Sequence, residues 1–182
     1  WKLDVAGTSV STLVLPALIA NSWSVPVGIS NHLTPVVLGN SVTATNQSRA
    51  VAWNHIGQIR DLGTLPDGNS TTINAVSPAG YITGTGNTLV NGSLVNRPFI
   101  AAPPAASSPD PRAYRLMVQE TNTQYFQISK IADSGEVLGV SYIYSPEYRQ
   151  IPTLWRHGKM HSLENILPTS SGYVLDAVQQ IN

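Results

Sequence analysis

The feature that most constrains this chain is a string that returns. Residues 50–66, AVAWNHIGQIRDLGTLP, and residues 152–168, PTLWRHGKMHSLENILP, match in order: a small or apolar residue, Trp, a polar turn containing Gly, an apolar strand, then Leu-Pro. Trp53 aligns with Trp155, Gly57 with Gly158, Ile59 with Met160, Leu62 with Leu163, and Leu65-Pro66 with Leu167-Pro168. The start of the chain carries a looser copy, from Trp1 to Leu15-Pro16, and RPFIA gives a variant in which Phe99 stands in for Trp. An aromatic marker therefore falls at 1, 53, 99 and 155. Recurrence at such an interval marks one supersecondary unit repeated, because a lone unit of this kind buries its apolar face only by stacking on its neighbours.

A second motif lies between the markers. VSPAGYITGTG (76–86) and IADSGEVLGVS (131–141) share an apolar residue, a polar turn ending in Gly, and a short strand closed by Gly84 or Gly139. ISNHLTPVVLGNS (29–41) repeats the pattern with two extra residues and closes on Gly39. The Ile73-Asn74 pair ahead of the motif returns at Ile181-Asn182. This predicts three complete units and part of a fourth, over 1–52, 53–98, 99–154 and 155–182, with both ends of the sequence falling inside the pattern. The sequence opens on Trp1 without Met or a basic leader, so an export signal is expected to have been removed or to lie outside it.

Each unit reads as a set of short strands. In EVLGVSYIYS the residues Leu138, Val140, Tyr142 and Tyr144 alternate onto one face, as a half-buried strand requires. PAGY, DSGE and RHGK supply turns at hairpin spacing. No window sustains a helical apolar period, which the 13 prolines and 14 glycines would interrupt. The expected class is all-β. A unit of this length built from several short strands is the signature of a β-propeller blade, with the Trp packed between neighbouring sheets. A β-sandwich or β-solenoid is the alternative, although a sandwich has no need of the same string in every unit. Residues 102–113, APPAASSPDPRA, are expected to form a long hairpin loop and not a domain linker.

Composition excludes several classes. At 42% hydrophobic the chain belongs with globular proteins, and its ten basic and ten acidic residues form no Lys/Arg stripe for nucleic acid and no polybasic membrane anchor. The longest apolar run, Leu13 to Ala20, is broken by Pro16 and falls far short of the about 20 residues that span a bilayer. With no cysteine there is no disulfide, thiolate metal site or thiol nucleophile.

The remaining chemistry-bearing residues are better explained by the repeat. His55 and His157 each follow a marker Trp by two residues, in the same hairpin of equivalent units. His157 and His161 have the HxxxH spacing that binds zinc on a helix, but a turn and a strand separate them here, and His32 lies in a polar turn. No G-x-S-x-G elbow occurs. The carboxylates Asp61, Asp67, Asp133, Glu136 and Glu164 are turn or strand-end residues. PDGNS and DSGE lack calcium-loop spacing and read as type I or I′ turns. The Asn-x-Ser/Thr triplets at Asn46, Asn69 and Asn91 accept glycans only in a eukaryotic secretory pathway.

RDLGTLPDGNSTTINAVSPAGYITGTG (60–86), together with AVAW and the returning Trp-turn-Leu-Pro string, resembles the HAF family of extracellular repeats. The family's His-Ala-Phe string is replaced here by AVAW, RPFI and PTLW. The resemblance implies an exported bacterial protein with propeller-like sheets and no established catalytic residues. The expected function is accordingly non-catalytic, without cofactor or metal: a structural or protein-interaction surface at the cell exterior, its partner another protein or further copies of itself. A carbohydrate-binding propeller is the first alternative, resting on an aromatic platform that burial of Trp1, Trp53 and Trp155 would remove. A hydrolase with carboxylates converging in a central funnel is the second.

Overall fold

The computed structural model describes residues 2–3, 10–11, 14–31, 35–103, 114–117 and 125–166. A short ribbon pairs β1 (Lys2–Leu3) with β2 (Val10–Ser11). Three open, four-stranded antiparallel sheets follow. Sheet 1 contains β3 (Ser24–Ser30), β4 (Val36–Val42), β5 (Ser48–Trp53) and β6 (Ile59–Asp61). Sheet 2 contains β7 (Thr71–Val76), β8 (Ile82–Val90), β9 (Ser93–Ala101) and β10 (Tyr114–Leu116). Sheet 3 contains β11 (Tyr125–Ile131), β12 (Val137–Ile143), β13 (Arg149–Arg156) and β14 (Lys159–Ser162), and a single 3₁₀ turn follows at Glu164–Ile166. In every sheet the strands lie in chain order, so the all-β expectation holds. The marker sits near the end of the third strand, so boundaries drawn at 53, 99 and 155 run through the sheets rather than between them. Trp1, His32, Leu167 and Pro168 lie outside the described residues, as does 104–113.

The turn residues explain why the strands reverse where they do. Four hairpins, at 43–47, 54–58, 77–81 and 132–136, share one geometry: the first N–H bonds to the fifth carbonyl, and the fourth N–H bonds back to the first carbonyl. The fourth residue needs positive φ, supplied by Asn46 (58°), Gly57 (80°), Gly80 (90°) and Gly135 (83°). Asn91-Gly92 and His157-Gly158 have positive φ at both positions and make two-residue type I′ turns. PDGNS differs from expectation. Gly68 N–H bonds to Leu65 O at 3.0 Å, with Pro66 second and Asp67 third at φ 57°, the pattern of a type II turn.

The recurring glycines do not close the second strands; they lie inside them, opposite a bulge. Gly39, Gly84 and Gly139 pair with Pro26, Ile73 and Ile128, and in each case the first strand slips register at the next residue. The bulge drives the first strand's backbone toward the glycine. A Cβ there would meet Val25 O at 2.2 Å, Thr72 O at 1.9 Å or Gln127 O at 2.3 Å. The glycine is a close-approach residue, and Asn74 of the repeated Ile-Asn pair is the extra, exposed residue of the bulge.

Register also reassigns one marker. Trp53 pairs with Val37 and Trp155 with Val137, two residues before Gly39 and Gly139. The corresponding partner of Ile82 is Ala101, while Phe99 pairs with Gly84 itself. A second contact agrees, since Leu62, Met117 and Leu163 donate equivalently to Ala50, Pro98 and Pro152, which places Ala101 at the Trp position. Phe99 fills the interface from one inward pair earlier on the same face, which side-chain alternation allows.

The sheets stack face to face. Leu38, Ala50 and Leu62 of sheet 1 and its following connector pack on Ile73, Ile82, Phe99 and Ala101 of sheet 2, with Leu65 of the connector joining them. Ala75, Ile100 and Met117 on the opposite side of sheet 2 pack with Phe126, Ile131, Val137, Trp155 and Met160. First strands lie beside one another, β3 with β7 and β7 with β11, and no comparable contact joins the fourth strands among the described residues. Polar groups cross the first junction: Asn40 Nδ2 donates to Ile73 O (2.9 Å), Ile73 N–H donates to Asn40 Oδ1 (2.7 Å), and Ala50 N–H donates to Thr71 Oγ1 (3.1 Å). Asn40 thus satisfies the backbone of the residue where the bulge begins. Asn40→Ala would leave both Ile73 groups buried and unpaired, so we expect a loss of about 2 kcal/mol in denaturant unfolding and faster exchange of the Ile73 amide.

Candidate functional site

Each antiparallel sheet places its first-to-second and third-to-fourth hairpins at one rim. Its second-to-third hairpin lies at the other rim, together with the connectors between sheets. The exposed aromatic residues of sheet 3 gather at this second rim. Tyr125 on β11 pairs across to Tyr142 on β12, which pairs to Gln150 on β13; Tyr144 and Tyr148 flank the β12–β13 hairpin. The ring centroids of Tyr125 and Tyr142 are 5.7 Å apart, those of Tyr144 and Tyr148 also 5.7 Å, and those of Tyr142 and Tyr148 6.3 Å. Tyr142 and Tyr144 stack within 19° of parallel at 6.4 Å. Tyr125, Tyr144 and Tyr148 are about half exposed, at 49%, 51% and 57%. Along β12 burial falls steadily from Leu138 to Tyr144, so the face that alternation identified changes from core to surface as it reaches this rim.

Two amides edge the cluster. Tyr142 Oη donates to Gln127 Oε1 at 2.5 Å, and Gln150 Nε2 donates to Tyr148 Oη at 2.6 Å. Desolvation by the neighbouring rings raises the Tyr142 phenol above its ordinary value of 10.0, and the phenolates of Tyr148, Tyr144 and Tyr125 add to that. A phenol whose folded pKa is raised contributes its stability fully below 10.0, and loses it as pH climbs through the folded value. In an alkaline titration of tyrosinate absorbance, Tyr142 is expected to ionise above that point, and the step should disappear in Tyr142→Phe.

The opposite rim carries a cleft of about 500 Å³ between sheets 2 and 3, lined by Tyr81, Ile100, Glu136, Trp155, Arg156 and His157 among others. Glu136 is tied to Arg156 at 2.6 Å and accepts from Ser134 Oγ at 3.1 Å. Trp155 Nε1 is buried here without a partner among the described residues, whereas Trp53 Nε1 donates to Pro16 O at 2.8 Å.

The other sequence candidates stay apart. Trp53 is fully buried and Trp155 nearly so, which withdraws both from any exposed platform. The structure places Pro66 in the connector turn and Pro16 against Trp53. His55 and His157 occupy third-to-fourth hairpins of different length, and His55, His157 and His161 are all exposed. Asp61 pairs with Arg49 at 3.5 Å and Glu164 with Arg149 at 3.1 Å. Asp67 occupies the connector turn, and Asp133 accepts from Ala79 N–H at 2.8 Å, joining the turns of sheets 2 and 3. Sequence reasoning identified Tyr142 and Tyr144 but not their union with Tyr125 and Tyr148. The available signal was three tyrosines within seven residues, 142–148, next to a strand that begins on a fourth. No family model matches the chain, and no curated protein or solved structure matches it.

Proposed function

We propose that this chain is a propeller-type repeat module of an exported protein, and that it acts non-catalytically by presenting the rim of its sheets as an interaction surface. The observation that carries this reading is the exposed tyrosine cluster, continued on the same rim of sheet 2 by Leu89, Val90 and Leu94, which are also exposed. Exposed apolar residues concentrated at one rim are the kind of surface that binds a partner. The propeller geometry is supported by first strands that lie side by side, with no comparable contact between fourth strands among the described residues, as in sheets that fan out from their first strands. The resemblance of residues 60–86 to HAF repeats supports export.

A second reading, carbohydrate binding, is favoured by the same tyrosines, which supply the exposed rings that Trp53 and Trp155 do not. Location is tested by protease treatment of intact cells of the encoding organism carrying a tagged copy. The proposal predicts digestion without lysis. Protection until the cells are broken would overturn it.

A further inference from the structure

The geometry points to the tyrosine cluster of sheet 3 as a binding site for a neutral polysaccharide; this rests on the interaction-surface reading and names its ligand class. Three half-exposed rings contact one another or the fourth, and the stacked Tyr142 and Tyr144 rings lie 19° from parallel, giving a broad aromatic surface. The C–H groups on the face of a pyranose ring carry partial positive charge and settle on the negative face of an aromatic ring. The polar groups are set for hydroxyls. Gln127 Oε1 is held by Tyr142, which leaves its Nε2 donors unpartnered among the described residues. Gln150 Nε2 is held on Tyr148, which leaves its Oε1 acceptor likewise unpartnered.

A wholly apolar partner would cover that donor and that acceptor without pairing them, at a desolvation cost. A sugar offers hydroxyls to both. Charge selects against anionic chains: Glu147 lies in the hairpin between Tyr144 and Tyr148, and Arg149 beside it is already paired with Glu164. Nothing cationic in the cluster's own hydrogen bonds would hold a carboxylate or sulfate.

The test is affinity electrophoresis of the intact chain in native gels containing hydroxyethylcellulose, xyloglucan, galactomannan or mixed-linkage β-glucan, with alginate as the anionic comparison. Retardation is expected in at least one neutral gel and to weaken about tenfold in Tyr144→Ala and in Tyr148→Ala. Tyr125→Phe, which keeps the ring, should bind nearly as well, and Ile56→Ser, at an exposed position in the 54–58 hairpin of the opposite rim, should leave retardation unchanged. The two alanine variants lie at half-exposed positions, and an unaltered unfolding midpoint verifies that they remain folded. No retardation in any neutral gel, retardation only in alginate, or retardation that survives the Tyr144→Ala/Tyr148→Ala double variant would each overturn the site. Binding of a proline-rich peptide in place of any polysaccharide would overturn it as well. A protein digested on intact cells yet unretarded would refute the sugar site and leave the interaction-surface reading standing.

Discussion

Trp53→Ala is expected to destabilise the chain by about 4 kcal/mol, the range for removing a fully buried tryptophan. The indole has no exposed surface and lies over Gly39, where a Cβ would come within 3.0 Å of Cζ3. Its Nε1 also holds the carbonyl of Pro16, so truncation both opens a cavity and unties the segment ahead of sheet 1. Phenylalanine restores most of the volume but not the hydrogen bond, and Trp53→Phe should still cost about 1 to 2 kcal/mol. Trp155 supplies the internal comparison. Its Nε1 is already unpartnered among the described residues, so Trp155→Phe should cost less than Trp53→Phe in the same denaturant titration.

The second large effect is expected at the glycines opposite the bulges. Gly84→Ala should destabilise by about 3 kcal/mol, the upper end of overpacking costs, and lower the melting midpoint by about 6 to 12 °C for a domain of this size. The added methyl would sit 1.9 Å from Thr72 O and 2.9 Å from Thr72 C, so β7 and β8 must separate. Gly139→Ala should behave alike, since its methyl meets Gln127 O at 2.3 Å and the Phe126 ring at 2.7 Å. The turn glycines provide the contrast. At Gly92 and Gly158 nothing lies within 4 Å of an added Cβ, and the cost is that of positive φ alone, about 1 kcal/mol. If all four glycines cost the same, close approach is not why they recur.

These contrasts show what a sequence of this kind discloses. The returning Trp-turn-Leu-Pro string and the Gly-bearing strands were legible because a repeated packing problem selects the same residue types each time. That a repeated glycine answers to a carbonyl on the neighbouring strand was not legible, because it depends on a one-residue slip in β3, β7 and β11 that no residue type announces. Phe99 misled for a related reason: a side chain two positions along a strand faces the same way, so Phe99 and Ala101 compete for one marker. The tyrosine site was half legible. Tyr142 and Tyr144 follow the strand period, whereas Tyr125 joins them through inter-strand register and Tyr148 through the path of the hairpin.

We propose that the sheets fan out from their first strands, as propeller blades do. Spin labels read it directly from two distances, each spanning sheets 1 to 3: one between the exposed first-strand positions Val27 and Ser129, the other between the exposed fourth-strand positions Arg60 and Lys159. Pulsed dipolar spectroscopy should give a clearly shorter Val27–Ser129 distance than Arg60–Lys159 distance. Equal distances, or a shorter outer one, would mean that the sheets stack flat and would contradict the propeller geometry.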